Sequence, residues 1–348
     1  MSPKLKAYTP RILLALYFFA FILVFIRNAF ITEDAFITFR AVDNFLKGYG
    51  PVWNVGERVQ VYTHPLWYAL LVIGVGIFKH HYWFTLALCF VCTLGTLWIF
   101  WKIMRRGSSM TGVVATLVLL FSPAFAVWSS SGLENPLHHF LLAVYVFISI
   151  TQQNAGKRFL HTGLLYSLLF LTRPDAIVLV TPAQLWWLWQ AYKTSGWKHT
   201  IKLAVIAAAP ALAWEAFSLI YYGSLVPNTA IAKTSLGYPR SELLMQGWHY
   251  FDAEARRDKI TMLAIVMAFV VVCISWRSSK NIFPKLLIGG IALQIFYILY
   301  VGGDYMKGRF MSVPLFASMC ALALTTMYRG GYYCLPPPSP HCCWRIRI

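Results

Sequence analysis

A chain of 348 residues that is 59% hydrophobic and 12% charged, with a mean hydropathy of +0.60, carries about half the roughly 25% charge of ordinary soluble domains. A soluble globular fold is excluded, and continuous apolar runs exclude a transmembrane barrel, which needs short alternating segments. The net charge of +18 would suggest nucleic acid in a soluble protein, but here the basic residues crowd short loops of the kind retained in the cytoplasm, so no nucleic-acid partner is inferred.

The expected fold class is an all-α polytopic membrane protein with about ten transmembrane helices, forming one domain over residues 1–328. The first apolar run, about 11–30, follows Lys4, Lys6 and Arg11 and lacks a small-residue cleavage site, so it reads as a retained span with a cytoplasmic N-terminus. A polar stretch at about 31–82 follows, containing the adjacent carboxylates Glu33 and Asp34. Thr32 can cap a helix running to about Lys47, stopped by Gly48, with Phe36, Phe39, Val42 and Leu46 as an apolar stripe suited to the interface. Glu33 and Arg40, seven positions apart, fall on nearly the same face. After a Gly/Pro-broken passage, Tyr62-Thr63-His64-Pro65 opens a second helix, with Thr63 or His64 as cap. Its apolar run, 66–78, is short of the ~20 residues needed to cross and reads as interfacial or re-entrant.

Further spans are expected at about 83–104, 110–127, 134–151, 159–172, 175–192, 201–222, 260–276, 286–301 and 310–328. The inside connections then collect Arg105 and Arg106, Lys157 and Arg158, Lys193, Lys198 and Lys202, Arg277, Lys280 and Lys285, and Arg329. The 12 acidic residues lie in outside loops or at outer ends, Glu215 alone falling within a span. The polar side therefore faces away from the cytoplasm. The outside segments are 31–82, a turn near Ser129 to Asn135, the turn Arg173-Pro174-Asp175, a long loop at 223–259, and 302–309. Beyond about Met327 a Pro/Cys-rich tail, 329–348, reads as disordered or aberrant. Cys89, Cys92, Cys273 and Cys320 sit in apolar runs as small hydrophobes, and the seven cysteines form neither a disulfide framework nor a zinc spacing, so no metal ligands are assigned.

Candidate chemistry gathers in the outside segments. A carboxylate beside cations at a low-dielectric boundary is what a general base at a lipid–water interface needs, and the first loop holds Glu33, Asp34, Arg40, Arg58, Tyr62 and His64. Acids in a first turn also complement the helix dipole without doing chemistry. Arg173-Pro174-Asp175 is either a structural ion pair at a bent turn or a place where Arg173 grips a lipid phosphate. In Gly302-Gly303-Asp304-Tyr305-Met306-Lys307-Gly308-Arg309-Phe310, glycines allow close approach to a ligand, and Lys307 and Arg309 could hold a phosphate. Glu134 lies at an outer turn, and Lys233 adds an outside cation.

In order, Glu33-Asp34-Ala35-Phe36-Ile37 to Arg40, Asn54-x-Gly56-Glu57-Arg58-Val59, Tyr62-Thr63-His64-Pro65-Leu66-Trp67, Ser131-Gly132-Leu133-Glu134, Leu171-Thr172-Arg173-Pro174-Asp175, Pro227-Asn228-Thr229 with Lys233, and Gly302-Gly303-Asp304 with Gly308-Arg309-Phe310 resemble bacterial integral-membrane glycosyltransferases of the GT-C type. The resemblance extends to the mycobacterial arabinofuranosyltransferase-like proteins and the Legionella LphB-like proteins. It implies a polyprenyl-phosphate sugar donor, a glycan or lipid acceptor of the cell envelope, and inverting transfer outside the bacterial cytoplasmic (inner) membrane, among membrane lipids. Asp34 takes the position of the base with Glu33 as partner, where many relatives have a double aspartate. Arg40, Arg173, Arg309 and Lys307 would hold the donor phosphate, and His64, Tyr62, Arg58, Glu134 and Asp304 would line the substrate site. No cofactor is certain, although paired carboxylates can hold Mg or Mn as a divalent cation. Relatives of this kind continue with more spans and a soluble outside domain, so the tail is expected to be a truncation or frameshift product that would leave a non-catalytic relative. The rival class is a membrane transporter or lipid flippase using charge at Arg173, Asp175 and Glu215. Such proteins often show repeated halves, and no internal repeat is visible here.

Overall fold

A computed structural model of the chain describes residues 3–105, 109–228, 231, 237–279 and 281–326. Arg106, Thr229, Lys233, Lys280 and the 329–348 tail lie outside the described residues. In chain order the helices are α1 (Pro3–Asn28), α2 (Glu33–Leu46), α3 (Pro65–Phe78), α4 (His81–Met104), α5 (Ser109–Phe121), α6 (Pro123–Trp128), α7 (Asn135–Thr151), α8 (Ala155–Thr172), α9 (Ile177–Tyr222, entered through a 3-10 turn at Pro174–Ala176), α10 (Arg240–Arg257), α11 (Lys259–Ile274), α12 (Phe283–Tyr300) and α13 (Ser312–Thr326). No strand occurs among the described residues.

Three stretches, His81–Met104, Pro174–Tyr222 and Phe283–Tyr300, are long and apolar enough to cross a membrane. Leu14–Asn28 and Glu33–Leu46 pass the same test together but are bent by 84°. Several shorter apolar helices of 10–17 residues accompany them. The all-helical character expected from the sequence is therefore present, whereas length and composition alone do not reach ten spans.

Individual boundaries depart from expectation for identifiable reasons. The run read as one span at 110–127 is broken between α5 and α6. Pro123 has no N–H to continue the ladder, and Ser122 is extended and caps α6 through Phe125 N–H. The two runs at 175–192 and 201–222 are joined as α9, kinked at Gly196, whose φ is +74°. Nearly half of the expected 223–259 loop is helix α10.

The sharp turn from α1 into α2 fixes the first loop. Thr32 is extended and is the N-cap residue, but its hydroxyl makes no capping bond. Its backbone N–H instead donates to Ser131 O at 3.0 Å, and Ser130 Oγ donates to Asn28 O at 2.8 Å. The α1–α2 corner is thus sewn to the segment before α7. Within α2 the packed face is Ala35, Thr38, Phe39 and Val42, leaving Phe36 and Leu46 of the expected stripe outward. Farther on, Tyr62 stacks on Tyr68 at 4.2 Å and reaches Tyr222 Oη at 3.0 Å. Tyr222 spends its own proton on Pro51 O at 2.8 Å, so Tyr62 is the donor. These contacts dock the first loop against the end of α9.

Behind the loops, α8 packs along α9, α4 along α7, and α12 against both α9 and α13. The α9–α12 crossing depends on Gly290, where an added Cβ would overlap the Leu179 carbonyl. Gly290→Ala is therefore expected to force the helices apart and cost about 1–3 kcal/mol, as overpacking does. Thermal unfolding in detergent checks this, and an unchanged midpoint would show that the crossing relaxes freely.

Candidate functional site

One pocket of about 830 Å³ opens between the first loop, the ends of α8, α9 and α12, the start of α10, and the 302–309 loop. Its lining includes Asp34, Tyr62, His64, Arg173, Asp175, Asp304 and Arg309. Residues from all five segments expected outside, Leu133 of the turn before α7 included, therefore share one cavity.

Glu134 lies at the N-cap of α7, in the turn before the helix, where the sequence places it. Its side chain is fully buried, and it does not line the pocket. It sits behind the wall and joins the groups that do. Glu134 Oε1 accepts from Arg309 Nη2 at 2.8 Å and from Arg173 Nη1 at 3.1 Å. Its other oxygen lies 3.5 Å from His64 Nδ1. Burial alone would raise this carboxyl, but the charges of Arg309 and Arg173 overcome it and hold Glu134 well below the usual carboxylate range. For His64, burial is the largest influence and lowers its pKa, keeping the ring neutral against the pull of Glu134. The ionised carboxylate favours the tautomer with hydrogen on Nδ1, so Nε2 accepts from the Thr38 hydroxyl at 2.9 Å.

Arg173 also grips Asp175 through two bonds, Nε to Oδ1 at 2.8 Å and Nη2 to Oδ2 at 3.2 Å. The structural ion pair anticipated at this turn is therefore present, and it joins a larger cluster. Arg309 turns its Nη1 toward Asp304 Oδ2 at 3.8 Å and Asp34 Oδ2 at 3.9 Å. Both separations exceed hydrogen-bonding distance, and Nη1 donates to Met306 Sδ at 3.3 Å, which leaves its second N–H for an incoming oxygen.

Asp34 is the carboxylate of this group most open to the pocket, with 34% of its side chain exposed. Tyr305 Oη donates to its Oδ1 at 3.2 Å. Partial burial and the neighbouring Asp34 charge push the Tyr305 phenol up to about 12, so it stays protonated as a donor. One oxygen of Asp34 is thus oriented, and the other is the one that approaches Arg309.

The loop carrying Arg309 is pinned from two sides. Gly308 N–H donates to Glu254 Oε1 at 3.0 Å, and Trp128 Nε1 donates to Lys307 O at 2.8 Å. Gly303 and Gly308 hold positive φ of 74° and 77°. A Cβ would meet Tyr250 at 2.6 Å in the first case and Ala124 at 3.2 Å in the second. These glycines serve a tight turn and close protein packing, and Gly303 also lines the pocket.

Several expected site residues lie apart from the pocket. Glu33 is exposed outside its lining. Arg40 is also exposed, donating to Trp53 O at 3.1 Å with its guanidinium 4.4 Å from that ring. Arg58 lies 5.0 Å from the Tyr221 ring, and Lys307 is exposed beyond the lining. Glu215, read as an ionisable residue within a span and assigned to the rival transporter class, does line the pocket. Tyr305, Thr38 and Arg240 were not singled out from the sequence, yet each lines the cavity.

An all-helical chain with long apolar helices and a pocket of converging carboxylates and guanidiniums has the form of a membrane protein with a polar reaction or binding chamber. Within that class, residues 63–214 match the family described as dolichyl-phosphate-mannose-protein mannosyltransferase. The chain is also similar to two proteins named terminal beta-(1->2)-arabinofuranosyltransferase. It is 26% identical to that of Corynebacterium glutamicum, over 84% of this chain and 48% of that protein. It is 27% identical to that of Mycobacterium tuberculosis, over 85% of this chain and 52% of that protein. The chain thus spans about half the length of these relatives. No solved structure matches. The resemblance read from the ordered motifs is present across most of the chain.

Proposed function

We propose that the chain is an inverting glycosyltransferase of the GT-C type that moves a sugar from a polyprenyl-phosphate donor to a cell-envelope glycan or glycolipid. The names of the similar proteins make terminal arabinofuranose the first sugar to test. The observation that carries the reading is the placement of Asp34, partly open to the pocket, opposite Arg309 and oriented by Tyr305. In this reading Asp34 Oδ2 removes the proton of an acceptor hydroxyl as that oxygen attacks the anomeric carbon. The bond to the phosphate oxygen breaks with its electron pair, inverting the carbon and releasing polyprenyl phosphate. Arg309 faces the charge that develops on the leaving phosphate, where fixed cations are most effective, and Glu134 holds Arg309 and Arg173 in place. Arg40 and Lys307 take no part in this arrangement, and Glu33 supports Asp34 only through its place in the first turn of α2.

The same reading places about ten spans in the bacterial cytoplasmic membrane, with residues 1–328 as one domain, the N-terminus cytoplasmic and the pocket outside. Among the described residues, no three His, Cys, Asp or Glu side chains converge as metal ligands. Activity with and without EDTA tests whether Mg or Mn is required. The cell-envelope glycans of a deletion strain test the function itself. Loss of a terminal sugar, restored by the wild-type chain, is expected; an unchanged glycan and glycolipid profile would contradict it.

A further inference from the structure

The charge arrangement of the pocket points to a phosphate contact that the motif-bearing arginines do not supply. Among the described lining residues, three are cations, Arg173, Arg240 and Arg309, and none is lysine. Arg173 is paired with Glu134 and Asp175, and Arg309 faces Glu134, Asp34 and Asp304. Two guanidiniums thus stand among four carboxylates, so an anion arriving at either meets a neighbourhood already negative on balance. Arg240 differs. It opens α10 at the exposed edge of the pocket, and among the described residues no carboxylate lies within ion-pair distance of it, Glu242 of the same turn included. Its guanidinium instead lies 4.4 Å from the centroid of the Tyr300 ring, another lining residue. Stacking on an aromatic face fixes the plane of a guanidinium while leaving its N–H edge available.

We propose that Arg240, held on Tyr300, is the phosphate-capturing residue of this pocket, and that the ligand class is the phosphate ester of a lipid-linked sugar. This deepens the glycosyltransferase reading and rests on it for the identity of the lipid. The division of labour follows from the charges. Arg240 attracts the ground-state anion, whereas Arg309, already compensated, gains most when negative charge builds on the leaving oxygen. Loss of Arg240 should therefore raise KM for the donor with little change in kcat, the mark of an interaction made equally in ground and transition states.

The test uses the purified full chain in detergent and a short-chain polyprenyl monophosphate as probe. Arg240→Gln is expected to weaken binding roughly 10- to 100-fold, the scale of a lost charge-assisted contact. Arg240→Lys should recover part of the loss. The uncharged polyprenol should fail to compete, and inorganic phosphate should compete only at far higher concentration because it lacks the lipid. Equal affinity in Arg240→Gln and wild type, or equal binding of polyprenol and its phosphate, would overturn the proposal. Donor KM in a transfer assay separates the two readings. Transfer with an unchanged KM in Arg240→Gln removes Arg240 and leaves the enzyme, whereas Arg240-dependent phosphate binding without transfer removes the enzyme and leaves the site.

Discussion

Asp34→Asn is expected to lower sugar transfer by roughly 10²- to 10⁴-fold, the range for removal of a positioned general base. The substitution preserves size and keeps an oxygen for the Tyr305 hydroxyl, so the 3.2 Å contact and the course of α2 should survive. What it removes is the proton acceptor beside the cavity. Donor binding should be kept or slightly improved, because one negative charge leaves the vicinity of Arg309. Transfer rate and polyprenyl-phosphate affinity, measured on the same preparation, check this pair of effects. A Glu33→Gln variant serves as the internal comparison. Glu33 is the other half of the doublet but lies outside the pocket lining, so a large loss there with a mild one at Asp34 would reverse their roles.

Glu134→Ala is expected to destabilise the protein by about 3–5 kcal/mol, the scale for breaking a buried ion pair from one side. The substitution leaves Arg173 and Arg309 facing each other with their shared carboxylate gone. Asp175 still compensates Arg173, whereas Arg309 keeps only the longer approaches to Asp34 and Asp304. Glu134→Gln keeps the shape and removes the charge, so it should cost less but still lower the thermal midpoint. The pH dependence has a defined sign. Because the folded carboxyl is held below its unfolded value, its stabilisation is present above the unfolded pKa of 4.5 and is lost as pH falls through the folded one. The stability gap between wild type and Glu134→Gln should therefore be full near neutrality and narrow progressively below about pH 4.5. Unfolding midpoints across pH 3–7 measure it, and a gap that widens on acidification would contradict the ionised assignment.

The sequence made the first loop legible because local signals agreed. Thr32 before an acidic turn, Gly48 at the stop and Pro65 after His64 mark both α2 and α3 to within a residue or two. The convergence of Asp34, Arg173 and Arg309 was suggested by their shared outside placement and ordered motifs, although no local pattern fixes distances between them. Arg40 shows where such reasoning fails. Its helical face was correctly placed, but the fold-back of residues 51–53 covers it with Trp53, a contact made after the helix ends. Helix α10 was missed because it is too polar to read as a span, although its packed positions Leu243, Gly247, Tyr250 and Glu254 recur at helical spacing. Yet Pro239 at its start, Glu242 in the first turn and Arg256-Arg257 in the last are helix-end signals. Arg240 and its pocket position were lost with that helix. Tyr305 lay in plain view inside the glycine loop, but only the folded loop turns its hydroxyl onto Asp34.

The most direct measurement uses proteoliposomes containing the wild-type chain, a radiolabelled polyprenyl-phosphate arabinofuranose and an arabinofuranosyl oligosaccharide acceptor. Label transferred to the acceptor with inverted anomeric configuration by wild type, and lost in Asp34→Asn, is the expected result. Label that crosses the bilayer without forming product, or product formed equally by Asp34→Asn, would contradict the assignment of this pocket as a glycosyltransfer site built around Asp34.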